Sequence, residues 1–240
     1  MLKKFDDDKA VAIAISNQIE SLLQEKPDAL ICIAGGDTPL KTMAELVRRN
    51  KNGQIDFSKA YFVGLDEWVG LGHETKGSCR QTLYDYFYDQ LENINPDHIC
   101  FFDGKAKNLA VECKRIDHFI DERGGIDFIL LGIGMNGHIG FNEPGVPVDV
   151  NAHVVELDDV TKKVMSKYFD QDLPLTNGIS LGMKQIKQAK EIIVAATGSK
   201  KAEIVELTMN SEPTANIPAT LLKNATSTQF FVDQEAGARV

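Results

Sequence analysis

The stretch DFILLGI, residues 127–133, is the most apolar run of the chain, and the glycine-rich loop GMNGHIGFNEPG, residues 134–145, follows it directly. A continuous apolar run ended by glycine is typical of a parallel strand that is buried on both faces. Shorter runs of the same kind stand elsewhere in the chain, at residues 29–34, 60–65, 98–102, 191–196 and 229–232. The pattern therefore favours a parallel sheet.

Helical patterns lie between these runs. In residues 9–24 apolar side chains recur every three or four positions, which predicts an amphipathic helix. A helix that starts at Leu40 is predicted to have Thr38 as its N-cap and Pro39 in its first turn. Strands alternating with helices predict a three-layer, Rossmann-like α/β fold, an open and mostly parallel sheet with helices on both faces. The remaining predicted helices span residues 78–91, 108–122 and 199–209.

Residues 145–177 interrupt this alternation, because they contain no strong core strand and include a polar helical stretch at residues 158–168. In an α/β domain a long excursion after a strand end is often a lid over the site. The alternative is a surface excursion with no role. We expect one domain over residues 1–240, with residues 145–177 as an inserted lid.

Charge and composition limit the class of partner. The 240 residues carry 26 Lys+Arg against 35 Asp+Glu, a formal net charge of −9. Nucleic acids and anionic membranes are not expected as partners, because they bind Lys/Arg-rich surfaces. The N-terminus continues with Asp6, Asp7 and Asp8 where a signal peptide needs an apolar stretch. No apolar run approaches the ~20 residues of a membrane span, so a cytoplasmic location is expected.

Polar clusters follow several predicted strands, at the sheet edge where α/β proteins bind ligands. The turn GGDTP, residues 35–39, opens a helix whose N–H groups suit phosphate, although a purely structural turn would look the same. The stretch DEW, residues 66–68, supplies either a general base in a partly apolar pocket or a helix cap. GSKK, residues 198–201, opens another helix beside lysines, a second potential phosphate site. Its alternative is a solvated helix face.

The loop after the central strand combines glycines with Asn136, His138 and Glu143. Such a loop implies that the backbone closely approaches another group. No second His or Cys stands nearby at ligand spacing, so a metal site is not expected.

This loop also carries a resemblance. Its segment GHIGFNEPG, residues 137–145, strongly resembles the signature of glucosamine-6-phosphate deaminases (isomerases), and LDEWVGL, residues 65–71, resembles their second block. The related 6-phosphogluconolactonases share the fold, the first turn and a similar acidic block. Their histidine loop, however, typically continues with a Ser-Leu-Phe-Pro type run. Glu143 therefore favours the deaminases.

The resemblance implies a role for each matching residue. Asp66 matches the base that moves a proton between carbons 2 and 1 of the open-chain sugar. His138 matches the residue that assists ring opening, Glu143 the carboxylate that supports it, and Asn136 is expected to orient it by a hydrogen bond. The expected substrate-binding residues are Gly36, Asp37, Thr38, Glu67, Gly137, Lys201 and Lys167, the last where a lid arginine is common. No cofactor is implied.

The sequence also departs from the family pattern. Asn136 stands where better-studied, larger members have Asp, so the pKa of His138 is expected to differ. Asp37 puts an anion into the phosphate loop, and we expect its side chain to turn away from the phosphate. The chain lacks the C-terminal extension of hexameric, allosterically activated members, so a monomer or small homo-oligomer without that control is expected.

The predicted activity is conversion of glucosamine 6-phosphate to fructose 6-phosphate and ammonia. Three alternatives stay open at this point. An isomerase for galactosamine 6-phosphate is one, because Asp37 and Asn136 suggest an altered pocket. A 6-phosphogluconolactonase is less favoured. A non-catalytic sugar-phosphate sensor is the third, although it would be expected to lack the base or the histidine.

Overall fold

The computed structural model describes residues 1–165, 169, 173 and 175–240. Its main sheet has seven parallel strands in the order β1-β10-β9-β6-β2-β3-β5, and a smaller antiparallel sheet has the order β4-β8-β7. In chain order the strands are β1 Leu2–Phe5, β2 Leu30–Ile33, β3 Tyr61–Val63, β4 Asp66–Trp68, β5 Ile99–Cys100, β6 Phe128–Gly132, β7 His153–Glu156, β8 Asn177–Ser180, β9 Glu191–Ala196 and β10 Thr228–Asp233.

The helices cover both faces of the main sheet, which confirms the predicted fold class. On one face α1, α2 and α3 pack against residues such as Ile31, Leu130 and Ile193. On the other face α4, α6 and α7 pack against the alternate positions, among them Cys32 and Ile129. Successive strand residues point to opposite faces, so a strand covered on both sides is apolar throughout. The helices are α1 Asp8–Glu25, α2 Asp37–Lys51, α3 Cys79–Tyr86, α4 Leu109–Asp121, α5 Asp159–Met165, α6 Met183–Gln188 and α7 Ala202–Asn210.

Several predicted boundaries were wrong. The N-cap of α2 is Gly36 rather than Thr38, which lies inside the first turn. The helix predicted over residues 78–91 ends at Tyr86, because the backbone leaves helical geometry at Phe87 before a short 3₁₀ turn. The helix predicted from residue 199 begins as a 3₁₀ turn and becomes α-helical at Ala202.

The sequence reading missed three kinds of element. The edge strand β1 reads LKKF, too short and too polar to show an apolar run, and it pairs in parallel with β10. The six-residue helix α6 is too short for a clear period. Residues 145–177 contain α5, which lies within the helical stretch predicted at residues 158–168, and two strands that no apolar run marks, β7 and, beginning at their end, β8. β8 pairs with β4, and β7 pairs with β8, outside the main sheet, so neither strand has a long apolar run.

Within the described residues, no helix combines the length and apolar character needed to cross a membrane.

Asp127 ties the amino ends of the central strands together. Its buried carboxylate accepts hydrogen bonds from Lys26 and Lys190, each at 2.7 Å, and from the Leu30 N–H at 2.8 Å. These partners outweigh the effect of burial and lower the pKa of Asp127. The folded state therefore favours ionised Asp127, and the stabilisation is present above the unfolded pKa and is lost as pH falls through the folded one.

Replacing Asp127 with Ala is expected to lower the free energy of unfolding at pH 7 by about 2 kcal/mol, because two cations and one N–H lose their acceptor. Urea unfolding of both proteins at pH 7 and pH 3 measures the effect. The difference should shrink at pH 3, and a difference independent of pH would contradict this role.

Candidate active site

A cavity of about 1300 Å³ lies at the carboxyl ends of β2, β6 and β9. Loops that follow parallel strands converge at this edge, so residues distant in sequence meet there. The structure brings six predicted site residues to the cavity wall: Gly36, Asp37, Thr38, Asp66, His138 and Lys201.

Asp66 is a buried carboxylate that borders this cavity. It begins β4, opposite Ser180 of β8, and is 8% exposed. Burial raises the pKa of Asp66 to about 7, the Glu67 charge adds to the rise, and a hydrogen bond from the Cys79 thiol opposes it. A carboxyl group with this pKa can accept and return a proton near neutral pH.

Glu67 does not reach the cavity, contrary to the substrate-binding prediction. It is 1% exposed, and its carboxylate accepts N–H hydrogen bonds from Trp68, Cys79 and Arg80 at 2.9, 3.0 and 2.9 Å. Neighbouring residues of a strand point to opposite faces, so Asp66 and Glu67 cannot both face the ligand. Glu67 fixes the start of α3, which is the capping role left open by the sequence. Burial raises its pKa to about 7.

The His138 imidazole is held in one orientation. Its Nδ1 lies 2.6 Å from Oδ1 of Asn136, whose Nδ2 donates to Oε2 of Glu143 at 3.0 Å. The carboxylate contact assigns the Asn136 amide orientation, and an amide oxygen only accepts, so Nδ1 carries the proton. Nε2, which takes no part in this network, then keeps its lone pair.

His138 is neutral at physiological pH. Burial and the nearby charge of Lys201 lower its pKa to about 4, although Asp158 acts in the opposite direction. The ring also packs tightly on Gly134, where an added Cβ would lie 2.2 Å from its Cε1 atom. Only glycine allows this approach. The predicted orienting role of Asn136 agrees with this geometry, and Glu143 Oε2 lies 3.6 Å from Nδ1.

Thr161 is a site residue that sequence reasoning missed. It lies on α5, is 5% exposed and borders the cavity. Its Oγ1 lies 3.1 Å from Nδ1 of His138. Thr161 thus joins α5 to the histidine network. The charged residues around it, Asp158, Asp159, Lys162 and Lys163, give no sequence signal that separates it from a solvated helix face.

The first glycine turn places the start of α2 at the cavity. Gly36 has φ +113°, a value that favours glycine, and α2 has no side-chain cap. First-turn N–H groups have no intrahelical partner and attract anions. Asp37 is exposed and also borders the cavity. That its side chain turns away from a bound phosphate stays a prediction.

The turn at residues 198–201, predicted as a second phosphate site, uses its backbone N–H groups within the chain. The Gly198 N–H donates to the Asp233 carboxylate at 2.9 Å, and the Ser199 N–H donates to Glu235 at 3.1 Å. These N–H groups are therefore already paired with carboxylates of the chain. Lys201 is the residue of this turn that reaches the histidine loop, where its Nζ donates to the Ile133 carbonyl at 2.5 Å.

Of the two remaining predicted binding residues, one is described in the structure and does not line the cavity. Gly137 has φ +84° and packs against Ile217, whose Cγ2 would lie 2.6 Å from an added Cβ, so it shapes the loop instead of contacting a ligand. Lys167 lies outside the described residues. Among those that are described, no cluster of His, Cys, Asp and Glu is arranged to hold a metal ion.

This chain is similar to several known proteins. Residues 8–231 match the family model described as glucosamine-6-phosphate isomerases/6-phosphogluconolactonase. A Clostridium botulinum (strain Hall) protein named glucosamine-6-phosphate deaminase is 39% identical over 217 residues, 90% of this chain and 88% of its own length. A Bacillus pumilus protein of the same name is 34% identical over 236 residues, 98% of each chain. A solved structure described as a monomeric glucosamine-6-phosphate deaminase superposes with a TM-score of 0.95 at 29% identity, covering 100% of this chain and 99% of that one.

Proposed function

Because this chain belongs to the family of glucosamine-6-phosphate isomerases and 6-phosphogluconolactonases, we propose that it is a glucosamine-6-phosphate deaminase. It converts glucosamine 6-phosphate and water to fructose 6-phosphate and ammonia. The observation that carries the proposal is that Asp66, a carboxyl group with a pKa near 7, shares one cavity with a neutral, oriented His138.

Phosphate binding is the first step. The substrate's phosphate lies at the first-turn N–H groups of α2, next to Gly36 and Thr38, where the helix dipole favours an anion. Lys201 lines the same cavity and supplies the positive charge.

Ring opening is the task of His138. Nε2 carries a lone pair because Nδ1 donates to Asn136, so Nε2 can take the proton from the hydroxyl at carbon 1. It then gives that proton to the ring oxygen as the bond between carbon 1 and this oxygen breaks. The products of the step are the open-chain aldehyde and the same neutral imidazole.

Isomerisation and deamination follow at carbons 1 and 2. Ionised Asp66 removes the proton from carbon 2 while the ammonium group at carbon 2 gives a proton to the aldehyde oxygen, which leaves an enolamine. Asp66 then returns its proton to carbon 1, which gives a protonated imine at carbon 2. Water adds to this imine, and ammonia leaves to form the ketone. One carboxyl group serves both carbons, so the pKa of about 7 suits both directions of transfer.

The functional partner is therefore a small sugar phosphate. We infer a monomer, because the solved deaminase that this chain matches over its full length is described as monomeric. Light scattering after gel filtration should give the mass of one chain. We further infer a cytoplasmic enzyme that does not bind nucleic acid, in keeping with the net charge of −9.

The experiment that tests the function measures ammonia and fructose 6-phosphate released by the purified protein from three substrates. Glucosamine 6-phosphate should react fastest, and the two products should appear in equal amounts. Faster turnover of galactosamine 6-phosphate would assign the protein to the other epimer. Hydrolysis of 6-phosphogluconolactone alone would assign it to the lactonases, and binding without turnover would make it a sensor.

The pH dependence of the reaction is a further prediction. The base must be ionised in the free enzyme, so kcat/KM should fall on the acidic side with an apparent pKa of about 7, the value of Asp66. His138, with a pKa of about 4, should not limit the rate above pH 5. Initial rates between pH 5 and pH 9, at constant ionic strength, measure the profile. An acidic limb near pH 4 would contradict the assignment.

A further inference from the structure

Helix α5 contacts the histidine loop at two points. One is Thr161, whose Oγ1 lies 3.1 Å from Nδ1 of His138. The other is Asp158, the residue directly before α5. Its Oδ1 accepts the Val160 N–H at 2.8 Å in the first turn of this helix, and the same oxygen lies 3.4 Å from Nδ2 of Asn136. The start of α5 is therefore tied to both residues of the loop that control the imidazole.

Nδ1 of His138 has two oxygen neighbours, one from the loop and one from α5. Oδ1 of Asn136, at 2.6 Å, is an amide oxygen that only accepts, so it determines that Nδ1 carries the proton. The Thr161 oxygen can accept from the same N–H. A half-turn of the ring about its Cβ–Cγ bond would put a carbon in the place of Nδ1, and both contacts would be lost.

The hydroxyl of Thr161 is not explained by packing. The residue is 5% exposed and borders the cavity. Burying a hydroxyl costs free energy unless it is hydrogen-bonded. Valine has nearly the same shape and does not carry this cost, so a residue needed only to fill space would not require the oxygen. The oxygen is instead placed beside Nδ1 of His138.

We propose that Thr161 is a positioning residue for His138: from α5, its hydroxyl holds the imidazole in the orientation that leaves Nε2 to transfer the proton. The ring-opening task of His138 rests on the proposed function, whereas the contact between hydroxyl and ring does not. When Nε2 takes a proton, the ring becomes an imidazolium and its Nδ1–H becomes a stronger donor. Asn136 offers this N–H a neutral oxygen, so a second acceptor adds to the stabilisation of the charged ring.

The first experiment measures kcat/KM for glucosamine 6-phosphate in two variants that divide the threonine side chain. Thr161→Val keeps the shape and removes the hydroxyl, and it should lower kcat/KM about tenfold. Thr161→Ser keeps the hydroxyl and removes the methyl group, and its kcat/KM should stay within about twofold of the wild type. The matched control is Thr208→Val, because Thr208 is a buried threonine on α7 that does not border the cavity. Its kinetics should be unchanged.

The order of the two variants separates positioning from packing. If the residue only filled space, Thr161→Ser would be the more damaging change, and that result would overturn the proposal, as would equal kinetics in all proteins. The inhibition constant of 2-amino-2-deoxyglucitol 6-phosphate, which has no ring to open, should stay within about threefold in Thr161→Val. A tenfold weaker inhibition would mean that Thr161 binds the sugar, and the positioning role would be wrong.

The second experiment needs no turnover, so it decides the proposal even if the proposed function fails. Nitrogen-15 NMR of the labelled protein at pH 7 detects the ring nitrogens, and the His138 signals are assigned by their loss in His138→Gln. Thr161→Val should shift both signals, because Nδ1 loses an acceptor and the ring samples a second orientation. Thr161→Ser should retain the wild-type positions.

Two NMR results would overturn the proposal. One is a spectrum of Thr161→Val in which the His138 signals coincide with those of the wild type. The other is an equal shift in Thr161→Ser, which would show that the methyl group and not the hydroxyl holds the ring. If Thr161→Val does not fold, Thr161→Ala replaces it in both experiments, because it differs from Thr161→Ser by the hydroxyl alone.

Discussion

Replacing Asp66 with Asn should lower kcat for ammonia release by about a thousandfold or more, since general-base catalysis typically contributes 10²–10⁴-fold. The amide has nearly the same shape, so substrate binding should change little, and KM should stay within a few-fold of the wild type. The same substitution should make the protein more stable. Burial raises the pKa of Asp66 to about 7, so the folded chain bears a cost whenever the carboxylate is ionised.

The sign of the stability effect follows from this raised pKa. The stability associated with protonated Asp66 is fully present below the unfolded pKa and is lost as pH rises through about 7. At pH 8 the Asn variant should therefore gain on the order of 2–4 kcal/mol in free energy of unfolding over the wild type. At pH 4 the gain should be small.

Urea unfolding at both pH values, together with assays of ammonia release, measures the two effects. Glu67→Gln is the matched control, because it neutralises the adjacent acid that does not reach the cavity. It should keep kcat within about tenfold, although its hydrogen bonds to α3 weaken. Near-wild-type turnover in Asp66→Asn would remove Asp66 from the mechanism.

The strands that carry this site could be read from the sequence because they are buried on both faces. The buried residues of β6 and β9 are apolar on both faces of the sheet, so an unbroken apolar run marks each strand. The rule that ligands bind at the carboxyl ends of parallel strands then placed the first turn, the acidic pair and the histidine loop together. Apolar runs could not show β7 or β8, because these strands form a separate small sheet with β4.

What could not be predicted is which side chain of a cluster faces the ligand. Asp66 and Glu67 have the same chemistry, and only the start of β4 at Asp66 decides which of them enters the cavity. The pairing of the Gly198 and Ser199 N–H groups with Asp233 and Glu235 joins loops about 35 residues apart. The contact of Thr161 with His138 likewise depends on how α5 packs. These are tertiary facts with no local pattern.

The His138 network makes a second large effect testable. Replacing His138 with Gln should lower kcat/KM for glucosamine 6-phosphate by about 10²–10³-fold. Glutamine keeps a polar group in the cavity, but it cannot take a proton from carbon 1 and pass it to the ring oxygen. Asn136 would still hold the loop through its hydrogen bond to Glu143.

The loss should fall on ring opening and not on phosphate recognition. The corresponding alditol, 2-amino-2-deoxyglucitol 6-phosphate, has no ring to open, so its inhibition constant should stay within about threefold in His138→Gln. The matched control is His118→Gln, since His118 is an exposed histidine on α4 whose side chain is 74% accessible. Its kinetics should equal those of the wild type.

The kinetic split between substrate and alditol is the decisive measurement for His138. If both weaken equally, His138 binds the sugar and the proton-transfer role is wrong. If turnover alone falls, the imidazole transfers the proton during ring opening. Its Nδ1 donates to Asn136, so Nε2 is the atom that takes and returns this proton. Because the pKa of His138 is about 4, the imidazole is neutral and can accept a proton at every pH at which Asp66 is ionised.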